Sequence, residues 1–319
     1  MSRARQRGIA LLVAIIMFAI ATTVAAAITY NKAMSARRAA ATFTMEQALQ
    51  AGMAAEALAS IALENNAGKQ TLPTQDWAQT VGPIEIEGTG VWIQAQVEDL
   101  AGRFNLNSLV AWDPTTNTFR KDPHQVEVFE QLLSSLNLDR RWATLMVDWI
   151  DTDNAPDLAA GGEDTLYLSQ NPPYRPPNTF INHTSELLAL PGFGAENYAK
   201  LAPYVAALPQ DTKLNIFTAS GFVLDATLHD PQNMTQWQLQ DMTQLRVKNP
   251  APADINSYIG VIADPANRQT VQNHVADRSD WFRLRTHIRV GTAEFVLYSV
   301  LQREPDNKVR AAQRSFGSE

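Results

Sequence analysis

Apolar and polar positions alternate with a period that changes along the chain, and each change marks an element. From Ile9 to Ile28 no charge interrupts the apolar run, and about 20 apolar residues cross a bilayer as a helix. Tyr30 follows as an interfacial aromatic. Beyond it, Phe43, Met45, Leu49, Met53, Ala54, Leu58 and Leu63 recur at helical spacing among polar residues. No proline falls between Ile9 and Leu72, glycine is absent from Ile9 until Gly52, and "ENNAG" reads as a helix stop. The pattern predicts one helix of nearly 60 residues, about 85 Å long at 1.5 Å per residue. Its first third is lipid-soluble and its last third amphipathic.

The period then falls to two. Ile84 and Ile86 alternate with Glu85 and Glu87; past "GTG", Val91, Ile93, Ala95 and Val97 alternate with Trp92, Gln94, Gln96 and Glu98. Two half-buried strands and a glycine-bearing hairpin are expected. Near the other end, Phe282, Leu284, Ile288 and Val290 alternate with Arg283, Arg285, His287 and Arg289. After "GT", Phe295, Leu297 and Leu301 share a face. The arginine stripe reads as a solvated sheet face, with a partner's acidic surface as the other use. Between the hairpins, "PHQVEVFEQLLSSLNLDRRWATLMVDWID" and "TQWQLQDMTQLRVK" are helical in pattern. The expected division is residues 1–8 as a leader, 9–30 a transmembrane helix, 31–68 its continuation and 80–105 the first strands. Residues 106–275 are a helical insert with its return, 278–305 the last strands, and 306–319 a tail. The fold class is α+β, a long helix on an antiparallel sheet with a helical domain inserted between strands.

Composition narrows the function. The chain has 319 residues, 45% hydrophobic, with no cysteine, so nothing rests on disulfides or thiols. Net charge is -7, and removing residues 1–8 with their three arginines leaves 23 basic against 33 acidic groups, or -10. An acidic body repels nucleic acid. "ELLALPGFGAENYAKLAPYVAALP" has the look of a DNA-gripping helix-hairpin-helix, yet carries Lys200 against Glu186 and Glu196, so it reads as a packing element. No GxSxG, HExxH or GxxxxGK[ST] occurs, and His124, His183, His229, His274 and His287 lack ligand spacing. An enzyme is not expected.

One loop does carry chemistry. Asp148, Asp151, Asp153, Asp157, Glu163 and Asp164 lie within 17 residues of a Gly-, Pro- and Asn-containing stretch. Carboxylates this close repel unless a cation or solvent screens them, and calcium takes six to eight hard oxygens on a flexible loop. Asp151 and Asp153 match the first and third EF-hand ligands. The match then fails, because Ala155 takes the fifth place, Pro156 the glycine's, and Gly162 that of the bidentate acid. Asp151, Asp153, Glu163 and Asp164 are the candidate ligands of another kind of calcium loop, with Asn154, Asn178 and Glu186 as extras. The competing uses are a plain solvated loop and a carboxylate dyad in a membrane-anchored periplasmic hydrolase.

The N-terminus admits three readings: a removable secretory signal, a plain anchor, or a segment cut at Gly8 and kept. Basic residues flank both ends of the apolar run, so charge does not set its orientation. A basic leader ending in Gly8, then a long helix beginning as a span, resembles the class III signal of type IV pilins and pseudopilins. With "DLAGRFNLNSL", "DWIDTDNAPDLAAGGEDTLYLSQNPPYRPPN" and "TKLNIFTASGFVL", the whole chain resembles the K-type minor pseudopilins of type II secretion (general secretion pathway protein K). That resemblance implies cleavage between Gly8 and Ile9 by prepilin peptidase, N-methylation of Ile9, and calcium in the helical domain. It also implies an inner-membrane protein with a periplasmic body, which primes the pseudopilus at its tip and touches secreted substrates. The implied partners are I-, J- and H-type minor pseudopilins, the major pseudopilin and the inner-membrane assembly platform. Position 13 departs from the wider pilin pattern, with Val13 where glutamate is usual; that glutamate pairs with the α-amine of the subunit ahead, and a tip subunit has none ahead. A type IV pilus tip component is the alternative.

Overall fold

The computed structural model describes residues 3–66, 68, 70–156, 162–229 and 255–317. Helix α1, Arg3–Glu64, runs unbroken for 62 residues. It stops where the sequence turns to "ENNAG". Asn66 Nδ2 donates to the Ala62 carbonyl at 3.0 Å and Arg303 Nη2 to the Leu63 carbonyl at 3.1 Å, satisfying carbonyls that a helix end leaves open.

The last third of α1 lies on a five-stranded sheet. Its strands are β1 (Val81–Ile86), β2 (Val91–Asp99), β9 (Trp281–Val290), β10 (Ala293–Arg303) and β11 (Val309–Phe316), antiparallel and paired in that order. Small residues on α1 allow the close approach: a Cβ on Gly52 would stand 2.5 Å from Leu297 Cδ2. Ala48 and Ala51 pack on Val91, Ile288 and Leu297, while Ala59 and Leu63 pack on Trp77, Val97, Phe282, Leu284 and Leu301. Both expected hairpins form, with alternating burial along β2, β9 and β10, whereas edge strand β1 is exposed on both faces as far as Glu85, Ile84 included. The segment 306–319 differs from the expected tail, since Val309–Phe316 is an edge strand on β10. Its pattern is mostly polar, so side-chain burial gives no strand signal. Its backbone ladder and an Arg314–Glu56 ion pair to α1 hold it, with Nη2 and Oε1 at 2.6 Å.

Between β2 and β9 comes the insert, with its own core around Phe129, Leu132, Met146, Tyr167, Leu224 and Val271. Among its described residues are β3 (Phe104–Asn105), β4 (Val110–Asp113), β5 (Thr118–Lys121), β6 (Val205–Ala206), β7 (Leu214–Asn215) and β8 (Val275–Ala276). Its helices are α2 (Pro123–Ser135), α3 (Arg141–Ile150), α4 (Asp164–Leu168), α5 (Gly194–Leu201), α6 (Gly221–Thr227), α7 (Ile255–Ile259) and α8 (Pro265–His274). The expected helical character is thus joined by a β4–β5 hairpin and by two-residue parallel pairs, β3 with β6 and β7 with β8. Such short pairs are set by tertiary contact and carry no local period. "TQWQLQDMTQLRVK" lies outside the described residues. The expected first helix of the 186–209 hairpin is a 3-10 helix, Thr184–Ala189, because Pro191 and Gly192 follow at once.

The insert leaves the sheet at Asp99 and returns near Trp281. Since Leu63 packs beside Phe282 and Ala48 beside Ile288, that exit lies at the end of α1 remote from residues 9–28. A buried hub ties the parts together there. Asp99 accepts from Asn215 Nδ2, Thr218 Oγ1, Ser279 Oγ and the Ala101 N–H. Thr71, just past α1, joins it by accepting from Asn215 and Ser279.

Candidate metal centre

Helix α3 delivers the first acids. Its segment 141–150 is almost wholly buried, which makes a carboxylate there costly unless it has a purpose. Asp148 is 0% exposed and accepts from the Gly162 N–H at 2.7 Å. Three residues on, and so on the same helical face, the buried Asp151 forms the C-cap. The chain then turns through Asp153, whose Oδ1 accepts from the Ala155 N–H at 2.8 Å, and returns at Glu163, the residue before α4.

Asp151, Asp153 and Glu163 converge: each presents one carboxylate oxygen within 4.8 Å of the others. Glu163 is 4% exposed, and neither of its carboxylate oxygens has a hydrogen-bond partner. Burial, then the charges of Asp148, Asp153 and Asp164, push its carboxyl up to about 7. Both causes make the ionised form costly there, and a bound cation would offset them. Asn178 approaches from the opposite strand of the loop in a left-handed conformation, φ 47°. Its Nδ2 donates to the Asp153 carbonyl at 2.8 Å and to Asn154 Oδ1 at 2.9 Å, while its own buried Oδ1 lacks a partner. Tyr167, whose electrostatic neighbours include Asp148 and Glu163, packs its ring against Trp149 and Tyr174. All the converging donors are hard oxygens, the set that calcium takes and softer metals avoid.

Two of the expected residues stand elsewhere. Asp164 turns outward to Arg175, with Oδ2 and Nε 3.6 Å apart. Glu186 accepts from the Asn182 N–H at 2.9 Å and from Trp149 Nε1 at 3.4 Å, a structural post. Asp157 lies outside the described residues. Asp148, one of the six clustered acids but not an expected ligand, also belongs here; the signal for it is an acid on the apolar face of a helix, flanked by Val147 and Trp149. The histidines, scattered in sequence, include one pair joined by the fold: the rings of His124 and His274 lie 5.1 Å apart. At the N-terminus, Gly8 and Ile9 lie in the first turns of α1, and Ile9 and Val13 are exposed.

Known proteins share this architecture. The family profile "Type II secretion system (T2SS), protein K" matches residues 102–210. The chain is similar to the type II secretion system protein K of Pectobacterium carotovorum, 32% identical over 99% of this chain and 98% of that one. Its likeness to the protein K of Pseudomonas aeruginosa is 29% identity over 99% of this chain and 94% of that one. Among solved structures, a chain of the GspK-GspI-GspJ complex from enterotoxigenic Escherichia coli superposes with a TM-score of 0.74 at 25% identity. The match covers 88% of this chain and all of that one.

Proposed function

The chain belongs to the type II secretion system protein K family, and from that premise we propose that it caps the tip of the pseudopilus and primes its assembly. One observation carries the reading: the insert leaves the sheet at the end of α1 remote from the apolar segment 9–28. Bulk at that end obstructs a further subunit above, whereas the stem below stays free to pack on other helices. Phe43, Leu58 and Ile61 on α1 are exposed and apolar, as a docking stem requires. The solved relative was captured as a GspK-GspI-GspJ complex, so I- and J-type minor pseudopilins are the partners we assign to this chain. The apolar segment anchors it in the inner membrane with the body in the periplasm, and its relatives bear the names of secretion-system components. We read the acidic loop as structural.

Processing is tested by the intact mass of the chain extracted from its native membrane. A chain beginning at N-methylated Ile9 supports prepilin-peptidase cleavage after Gly8. A chain that keeps Arg3, Arg5 and Arg7, or one that starts near Ile28, overturns it and takes the tip reading with it.

Within the insert, the cation we assign is calcium, held by Asp151, Asp153 and Glu163 with Asp148 behind them. It would supply charge to neutralise buried carboxylates and pin a long loop that no disulfide closes. The support is the unpartnered Glu163 carboxylate at the point where Asp151, Asp153 and Glu163 converge.

A further inference from the structure

Helix α1 covers one face of the sheet; the arginine stripe of β9 stands on the other. Cross-strand register sets Glu98, Arg283, Val300 and Gln313 in one row and Gln96, Arg285, Tyr298 and Ser315 in the next. The insert touches these rows through Ala206 and Leu208, on which Trp281 and Val300 are partly packed, and does not cover the rest. Its segments 180–185 and 205–209 overhang them and leave a groove of about 590 Å³, floored by Trp281, Tyr298 and Val300 and walled by Ile181 and Leu208. At one end the groove shares Arg103 and Arg283 with a second cavity of about 330 Å³, which Arg285 and Glu98 also line.

Charge is concentrated at that end. The side chains of Arg103 and Arg283 are only 13% and 15% exposed, and both contact the same carboxylate, Glu98. Arg285 adds a third guanidinium, 5.9 Å over the Tyr298 ring. Burial and the neighbouring Arg103 both lower the proton affinity of Arg283, as expected where cations crowd. The other end of the stripe is balanced: Arg289 lies 5.3 Å over Trp92 with Glu294 directly opposite in register. Two guanidiniums on one acid, with a third lining the same cavity, are conspicuous on a chain of net charge -7. Planar guanidiniums bind carboxylates in bidentate fashion, and an extended chain presents alternate side chains to one face.

We propose that this groove docks an acidic, extended segment of a partner protein, its carboxylate meeting Arg103, Arg283 and Arg285 and its apolar side chains lying along Trp281, Tyr298 and Val300. Anionic lipid is a poorer occupant, because the groove lies at the end of the sheet remote from residues 9–28. The groove shares no lining residue with the Asp151, Asp153 and Glu163 cluster or with the exposed face of α1, and it does not depend on cleavage at Gly8.

The test uses the full chain in non-ionic detergent and a fluorescein-labelled decapeptide of alternating glutamate and valine, with a glutamine–valine peptide as the control. Fluorescence anisotropy is expected to give salt-sensitive binding of the acidic peptide, weakened about tenfold by Arg285→Glu, since reversing a contacting charge acts on both attraction and steering. Arg289→Glu, at the balanced end, is expected to leave the affinity unchanged. Both variants have exposed side chains and should melt as the parent does. Tyr298→Ala should weaken both peptides by removing the floor. Equal binding of the glutamine peptide, equal loss from the two reversals, absence of binding, or binding confined to phosphatidylglycerol vesicles would each overturn the proposal.

Discussion

At the scale of single residues, buried carboxylates do unlike work according to their neighbours. Asp99 is 5% exposed and its carboxyl is raised by burial, although four donors draw it back. Asp99→Ala strands those donors, and an expected loss on the order of 3 kcal/mol follows from leaving several buried polar groups unpaired; urea unfolding measures it. Glu163 has no such donors. Without a cation its raised carboxyl makes the folded state less stable as pH climbs from about 4.5 to about 7. Glu163→Gln removes that burden, so in chelator the variant should melt at or above the parent. With calcium the order should reverse: binding at 100 times Kd stabilises the parent by about 2.7 kcal/mol, and the variant gains less. Scanning fluorimetry in chelator and in calcium checks both arms, and a parent indifferent to calcium would refute the metal assignment. The acid cluster was legible in sequence because so many carboxylates in one loop demand screening. Of the four expected ligands Asp151, Asp153 and Glu163 do converge; what spacing alone could not tell is that α4 points Asp164 outward while α3 brings Asp148 in behind.

At the scale of elements, helices and hairpins were readable where apolar positions recur with a period: the last third of α1, the β1–β2 and β9–β10 hairpins, and α2. Strand β11 escaped because a polar edge strand is held by its ladder and by Arg314 on Glu56, not by an apolar face. The joint between α2 and α8 escaped for a related reason, as it depends on residues 150 positions apart. There Asp122 caps α2 by accepting from the His124 and Gln125 N–H groups, and its Oδ2 lies 3.5 Å from His274 Nε2. The Nδ1 of His274 faces the Thr270 carbonyl at 2.8 Å. Hydrogen bonding to Asp122 raises the pKa of His274, against burial and Lys213. Burial and then the charge of His274 lower that of His124, against Asp122 and Glu127. The two histidines therefore respond to acid with opposite sign. Stability from His274 is present below the unfolded pKa of 6.5 and fades as pH rises through its higher folded value. His124 withholds its proton in the fold, so its share of stability is lost as pH falls below 6.5. From pH 7.5 to 5.5, His124→Gln should lose less stability than the parent and His274→Gln more; chemical denaturation at the two pH values decides, and parallel slopes would exclude the pair as a titrating joint.

At the scale of the whole molecule, one stem carries two loads: a lipid-length apolar segment at its start and a welded cap beside its end. The weld rests on hydrogen bonds from Asn215 and Ser279 to the Asp99 carboxylate, together with Arg303 donating to both the Leu63 and the Ser279 carbonyls. A cap held this firmly keeps its bulk above the stem, which is what blocking a further subunit requires. The same geometry bears on Val13. A carboxylate inside a bilayer costs roughly 2.5 to 3.5 kcal/mol at mid-helix, a cost offset in an interior subunit by the α-amine ahead of it. At the proposed tip position there is no amine to meet, so Val13→Glu should weaken the chain's assembly without recompense. Cross-linking yield to the neighbouring minor pseudopilins should fall, and export should fall with it, while the purified body melts unchanged. If the chain instead occupied an interior position, the new carboxylate would find its amine, and cross-linking would hold or rise.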